Sequence, residues 1–111
     1  MKDLKQYLTE NKNLLKNISD SSKLPNIKVK DFNGVGGVNT GYSGDYFEVT
    51  VYSDKFRYLI HVDTDKGGVV NVAKVPNTRV GREFYPTDLY WYDKDPEKCF
   101  ELYREAVKNI H

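Results

Sequence analysis

The run DYFEVTVYSDKFRYLIHVDTDKGGVVNVAKV, residues Asp45 to Val75, decides the fold. Three apolar-rich segments, Tyr46 to Tyr52, Phe56 to Val62 and Val69 to Val75, are separated only by short polar turns, the pattern of an antiparallel β-meander. Side chains alternate faces along a strand, so Phe47, Val49 and Val51 share one face while Tyr46, Glu48, Thr50 and Tyr52 share the other. The next segment sets Phe56, Tyr58, Ile60 and Val62 against Arg57, Leu59, His61 and Asp63 in the same way. Between them, Ser53-Asp54-Lys55 supplies turn chemistry, because Ser and Asp side chains bond nearby backbone amides. Thr64 to Gly68 adds two glycines able to take positive φ. Val69 to Val75 is apolar on both faces, which predicts an inner strand covered on both sides, and Pro76 ends it for want of an N–H.

Outward from the meander, Leu4, Tyr7, Leu8, Leu15 and Ile18 recur at helical spacing and predict an amphipathic helix over residues 2–19. Ile27 and Val29 alternate with Lys28 and Lys30, which predicts a first strand, its lysines suited to a sheet edge. Residues Gly34 to Gly44 hold five of the chain's eight glycines and read as a hairpin loop. Neither a G-x-G-x-x-G nor a P-loop spacing is met there, and a strand follows where a phosphate cradle needs a helix N-terminus. On the other side, Leu89 to Tyr92 predicts a last strand, with Leu89 and Trp91 on one face and Tyr90 and Tyr92 on the other. Asp95 as N-cap and Pro96 at the first helical position open a C-terminal helix, with Cys99, Phe100, Tyr103, Ala106, Val107 and Ile110 as its apolar stripe. The expected architecture is a single α+β domain over residues 1–111: an N-terminal helix, a four- to five-stranded antiparallel meander sheet and a C-terminal helix, both helices packed on one sheet face.

Composition narrows the classes. At 111 residues, 39% hydrophobic and 30% charged, the chain is an ordinary folded domain rather than a disordered one. One cysteine excludes an internal disulfide, and no uninterrupted apolar run is long enough for a membrane span, so we expect a cytoplasmic protein with no membrane partner. Metal binding is not expected: Asp63 to Gly68 begins like an EF-hand loop, but Lys74 stands where the bidentate Glu belongs, and one Cys with two distant His offers no zinc spacing. Nothing asks for a cofactor.

Three functional readings follow. His61, with Arg57 and Asp63 on its strand face, has the residue types of a general base, a cationic stabiliser and an orienting carboxylate; the same grouping is common among surface ion pairs. Tyr46 and Tyr52 on an open sheet face are the aromatics a nucleic-acid binder stacks bases on, yet the net charge is only +1, with a local excess of lysine confined to residues 2–30. The third is an acidic aromatic patch: Asp88, Asp93, Asp95 and Glu97 surround Tyr90 and Tyr92, large contact surfaces ringed by carboxylates that would steer a basic protein partner. We therefore expect a small protein-binding module without catalytic residues, in its most concrete form an immunity-type inhibitor that occludes the active site of a partner enzyme such as a toxin nuclease. Its expected contact residues are Asp88, Tyr90, Tyr92, Asp93, Asp95, Glu97, Tyr46 and Tyr52; the nucleic-acid binder and the small enzyme using His61 and Arg57 are the alternatives.

Overall fold

The computed structural model of the chain describes Leu24, residues 27–77 and residues 86–110. The helix expected over residues 2–19 and the polar connection from Thr78 to Glu83 lie outside these described residues. Within them the chain forms β1 (Val38–Ser43), β2 (Tyr46–Tyr52), β3 (Phe56–Asp63), β4 (Val69–Pro76), β5 (Asp88–Trp91) and the helix α1 (Pro96–Val107). The strands pair antiparallel in sequence order, β1-β2-β3-β4-β5, so the meander expected from side-chain period is present and has five strands.

Register explains which residues are dry. Across the sheet Val49 faces Ile60, Ile60 faces Val72 and Val72 faces Tyr90, while Val51 faces Tyr58. Val49, Val51, Ile60, Val62 and Val72 are completely inaccessible, and α1 packs over them with Cys99, Phe100, Leu102, Tyr103, Ala106 and Val107 buried. Burial of one such aliphatic side chain contributes about 1.5–3 kcal/mol. The α1 start is as the sequence implies: Asp95 accepts a hydrogen bond from the Lys98 amide at 3.3 Å, with Pro96 opening the helix. Lys74 on β4 reaches up to Glu105 on α1 at 2.7 Å, and its ammonium also stands 4.3 Å from the centre of the Phe56 ring. Cys99 is fully buried, and burial pushes its thiol up to about 11. Tyr103 is buried, and its hydroxyl has no hydrogen-bond partner among the described residues; burial, with the Asp31 carboxylate adding to it, holds its phenol well above the ordinary range.

Two expectations are corrected. Ile27 onward is not a strand: Val29–Phe32 is a short 3-10 helix, because the Lys28 amide donates to the Asp31 carboxylate at 2.9 Å and the Asp31 amide returns to the Lys28 carbonyl at 3.0 Å. The segment then buries Leu24, Ile27, Phe32 and Val35 in the same core as α1. It is held at its start by the Gly68 amide, which donates to the Ile27 carbonyl at 2.6 Å beside Gly67 at φ 76°. A Cβ on Gly67 would stand 3.2 Å from the Lys28 side chain, so the glycine serves both the turn and the close approach.

The glycine-rich stretch is likewise not one loop. Val38–Ser43 is β1, and it meets β2 through the two-residue turn Gly44-Asp45, with Gly44 at φ 63° in the position that favours glycine. Its polar, glycine-containing sequence hid a strand whose stability comes from pairing with β2 rather than from its own residues.

Candidate functional site

The sheet has a face that α1 covers and a face that it does not, and β5 contributes to both. On the α1 side, Asp88 and Tyr90 join Lys98, Glu101, Leu102 and Glu105 around a shallow cleft of about 210 Å³. Three carboxylates and one ammonium line it, so its field is acidic. The Lys98 ammonium lies 5.7 Å from the centre of the Tyr90 ring, so one of the chain's own cations already occupies the aromatic face. Glu105 is shared between the cleft, Lys74 and Tyr58; burial first, then the Glu105 charge and hydrogen bond, push the Tyr58 phenol up to about 12.

On the second face, strand register sets two rows side by side. Glu48, His61, Asn71 and Trp91 form one, and Thr50, Leu59, Ala73 and Leu89 the next. In the first row His61 Nε2 lies 2.8 Å from a Glu48 carboxylate oxygen, and the Tyr46 ring stacks on the imidazole with centroids 5.8 Å apart. Asn71, Ala73 and Val75 are buried, as expected for an inner strand covered on both sides. At the β5 end the surface opens: Leu89 is 45% and Trp91 37% exposed.

The expected contact residues are thus divided. Asp88 and Tyr90 stand on the α1 side, and Tyr90 and Tyr92 both pack against the core rather than project as free anchors. Asp93 and Glu97 are exposed at the turn and first helical turn, whereas the Asp95 carboxylate is engaged as the cap of α1. Tyr46 and Tyr52 are on the second face at opposite ends of β2, about 20 Å apart by strand rise. Each is used locally, Tyr46 over His61 and the Tyr52 hydroxyl accepting from Asn39 Nδ2 at 3.2 Å, so the two do not make one platform.

For the catalytic alternative, the carboxylate that holds His61 is Glu48, not Asp63. The Asp63 carboxylate instead accepts the Asp65 and Lys66 amides at 2.8 Å each, which lowers its pKa and closes the β3–β4 turn. Arg57 and His61 share a face of β3 but are separated by about 13 Å of strand. Among the described residues no group of three or more His, Cys, Asp or Glu side chains is arranged to hold a metal ion, and no helix is long and apolar enough to cross a membrane.

What the sequence reading missed is Leu89 with Trp91. Their alternation with Tyr90 and Tyr92 was legible, but which pair α1 would cover depends on the turn between β5 and the helix. There the Lys94 and Asp95 amides both donate to the Trp91 carbonyl, at 3.1 and 2.9 Å, and carry the chain over the Tyr90 side. No family model, curated protein or solved structure matches the chain.

Proposed function

We propose that the protein is a small protein-binding module, most concretely an immunity-type inhibitor that neutralises a partner enzyme by covering its active site. One observation carries the reading: Leu89 and Trp91, two residues apart on one strand, expose large apolar side chains on the sheet face that α1 leaves uncovered. A tryptophan beside an aliphatic residue, at the boundary of an otherwise polar surface, is the composition of an interface centre. Asp93 and Glu97, exposed in the turn after Trp91 and in the first turn of α1, add acidic charge next in the chain after β5 that suits a basic partner such as a nuclease, whose phosphate-binding groove is cationic. Tyr90 and Tyr92 support this strip from beneath, since they anchor β5 to the core.

The test is retention of a protein from the source cell's lysate and growth medium on the immobilised chain, beside a Leu89→Ala/Trp91→Ala control that leaves the buried tyrosines intact. The retained enzyme is then titrated with the free protein. Loss of its activity at one equivalent, with the double variant at least about 30-fold weaker, is the expected result. Equal retention by the variant, or recovery of nuclease-sensitive nucleic acid with affinity falling linearly with the logarithm of salt concentration, overturns the reading.

A further inference from the structure

We propose that β1 pairs with β1 of a second copy of this chain, antiparallel about a two-fold axis at Thr40, to join two five-stranded sheets into one. β1 ends the strand order, so one side of it has no strand partner among the described residues. Backbone direction along it follows from one bond. The Tyr52 amide donates to the Gly37 carbonyl at 3.0 Å, and the register that pairs Val38 with Val51 sets Gly37 opposite Tyr52. In an antiparallel ladder the residues that bond inward alternate with those that bond outward. Asn39, Gly41 and Ser43 therefore bond to β2, and Val38, Thr40 and Tyr42 aim their N–H and C=O groups away from the sheet.

Those three residues are self-complementary. With Thr40 opposite Thr40 of the second copy, Val38 falls opposite the other Tyr42, all three pairs are of the hydrogen-bonded kind, and every outward donor and acceptor finds a partner in six hydrogen bonds. Because the axis stands normal to the sheet, both copies keep α1 on the same side.

The strand also lacks what sheet edges use to stay apart. Val38–Ser43 contains no Lys, Arg, Asp, Glu or Pro, so two copies meet without like-charge repulsion. Asn39, Thr40, Gly41 and Tyr42 are all exposed, and nothing stands within 4 Å of a Cβ built on Gly41, so the edge is open to an incoming strand. Tyr42 is 82% exposed, the highest value among the exposed large hydrophobic side chains of the described residues, and its ring meets Phe47 edge-on at 5.2 Å. In the paired sheet it lies across from Val38 of the other copy, an aromatic against a β-branched side chain, a favourable cross-strand combination.

The test uses sedimentation equilibrium on the full chain. The wild type is expected to show a concentration-dependent dimer, and T40K and T40E, each setting like charges directly opposite, are expected to be monomers with unchanged far-UV circular dichroism. Mixing the two variants is expected to restore a dimer, which only pairing about this position provides. A wild type that stays monomeric at high concentration, variants that dimerise like the wild type, or a mixture that stays monomeric each overturns the proposal. Amide hydrogen exchange on the wild type tests the same point without substitution. Val38, Thr40 and Tyr42 are expected to be protected in concentrated solution and to lose protection on dilution, while Asn39 and Gly41 stay protected throughout; equal behaviour of the two sets overturns the pairing.

Discussion

Leu59 and Ile60 are neighbours on β3 with similar side chains, yet Ile60 is completely inaccessible under α1 while Leu59 remains half-buried on the second face. β2 shows the same division, with Val49 and Val51 inaccessible on the covered side and Glu48 and Thr50 half-buried on the other. On one face valines and isoleucine meet the helix; on the other an ion pair, stacked rings and exposed apolar groups meet solvent. The inaccessible aliphatic side chains are concentrated on the first, and the second carries the exposed Leu89 and Trp91 strip proposed above for partner binding.

Truncating the two neighbours one at a time separates the faces most strongly. Ile60→Ala is expected to cost about 2–5 kcal/mol in urea unfolding, because it opens a cavity in the fully buried layer between the sheet and α1, and Leu59→Ala under about 1.5 kcal/mol. Equal losses would mean that the second face is sealed too. Next, Trp91→Ala is expected to weaken partner binding by about 2 kcal/mol or more while changing the unfolding free energy by less than about 1 kcal/mol. Binding measured calorimetrically against the retained partner, beside a thermal melt, separates the two effects. Asp95→Ala removes the α1 cap and is expected to cost about 1 kcal/mol of stability. Partner affinity, measured in the same titration, is expected to follow only as far as β5 loosens, which would mark this carboxylate as structural.

The gentlest test is alkaline. Tyr58 and Cys99, both on the covered side, have folded-state pKa values raised from 10.0 to about 12 and from 9.0 to about 11. A group with a raised folded value contributes its stability in full below its unfolded value and loses it as pH climbs through the folded one. Urea midpoints are therefore expected to hold to about pH 9 and decline towards about pH 12. Glu105→Gln is expected to flatten the upper part of that decline, because the carboxylate's charge and hydrogen bond contribute to the Tyr58 shift after burial itself. A profile that stays level to about pH 12 would contradict the burial of both groups.

How much of this was legible in the sequence follows from the range of the forces involved. Period-two alternation identified the faces of β2 and β3 residue by residue, because one face of each had to be dry. The α1 start was equally readable, since Asp95 and Pro96 act within one turn of the chain. Alternation over four residues at Ile27 misled, because a local bond from the Lys28 amide to Asp31 and burial of Phe32 outweigh it. β1 was invisible for the opposite reason: Asn39, Thr40 and Gly41 have no dry face, and only the neighbouring strand makes them a strand. The candidate surface was half legible. That β5 would carry exposed large side chains could be anticipated; that these are Leu89 and Trp91 depended on where the turn at Tyr92 to Asp95 sends the helix.

Cys99 has one more use. The chain's single thiol sits sealed between α1 and β4, with its pKa raised, so a thiol reagent reaches it only when the helix lifts from the sheet. The native protein thereby carries a built-in clock for that motion. Its labelling rate, compared with that of an unfolded chain, gives the free energy of opening one layer of the domain without any engineered probe.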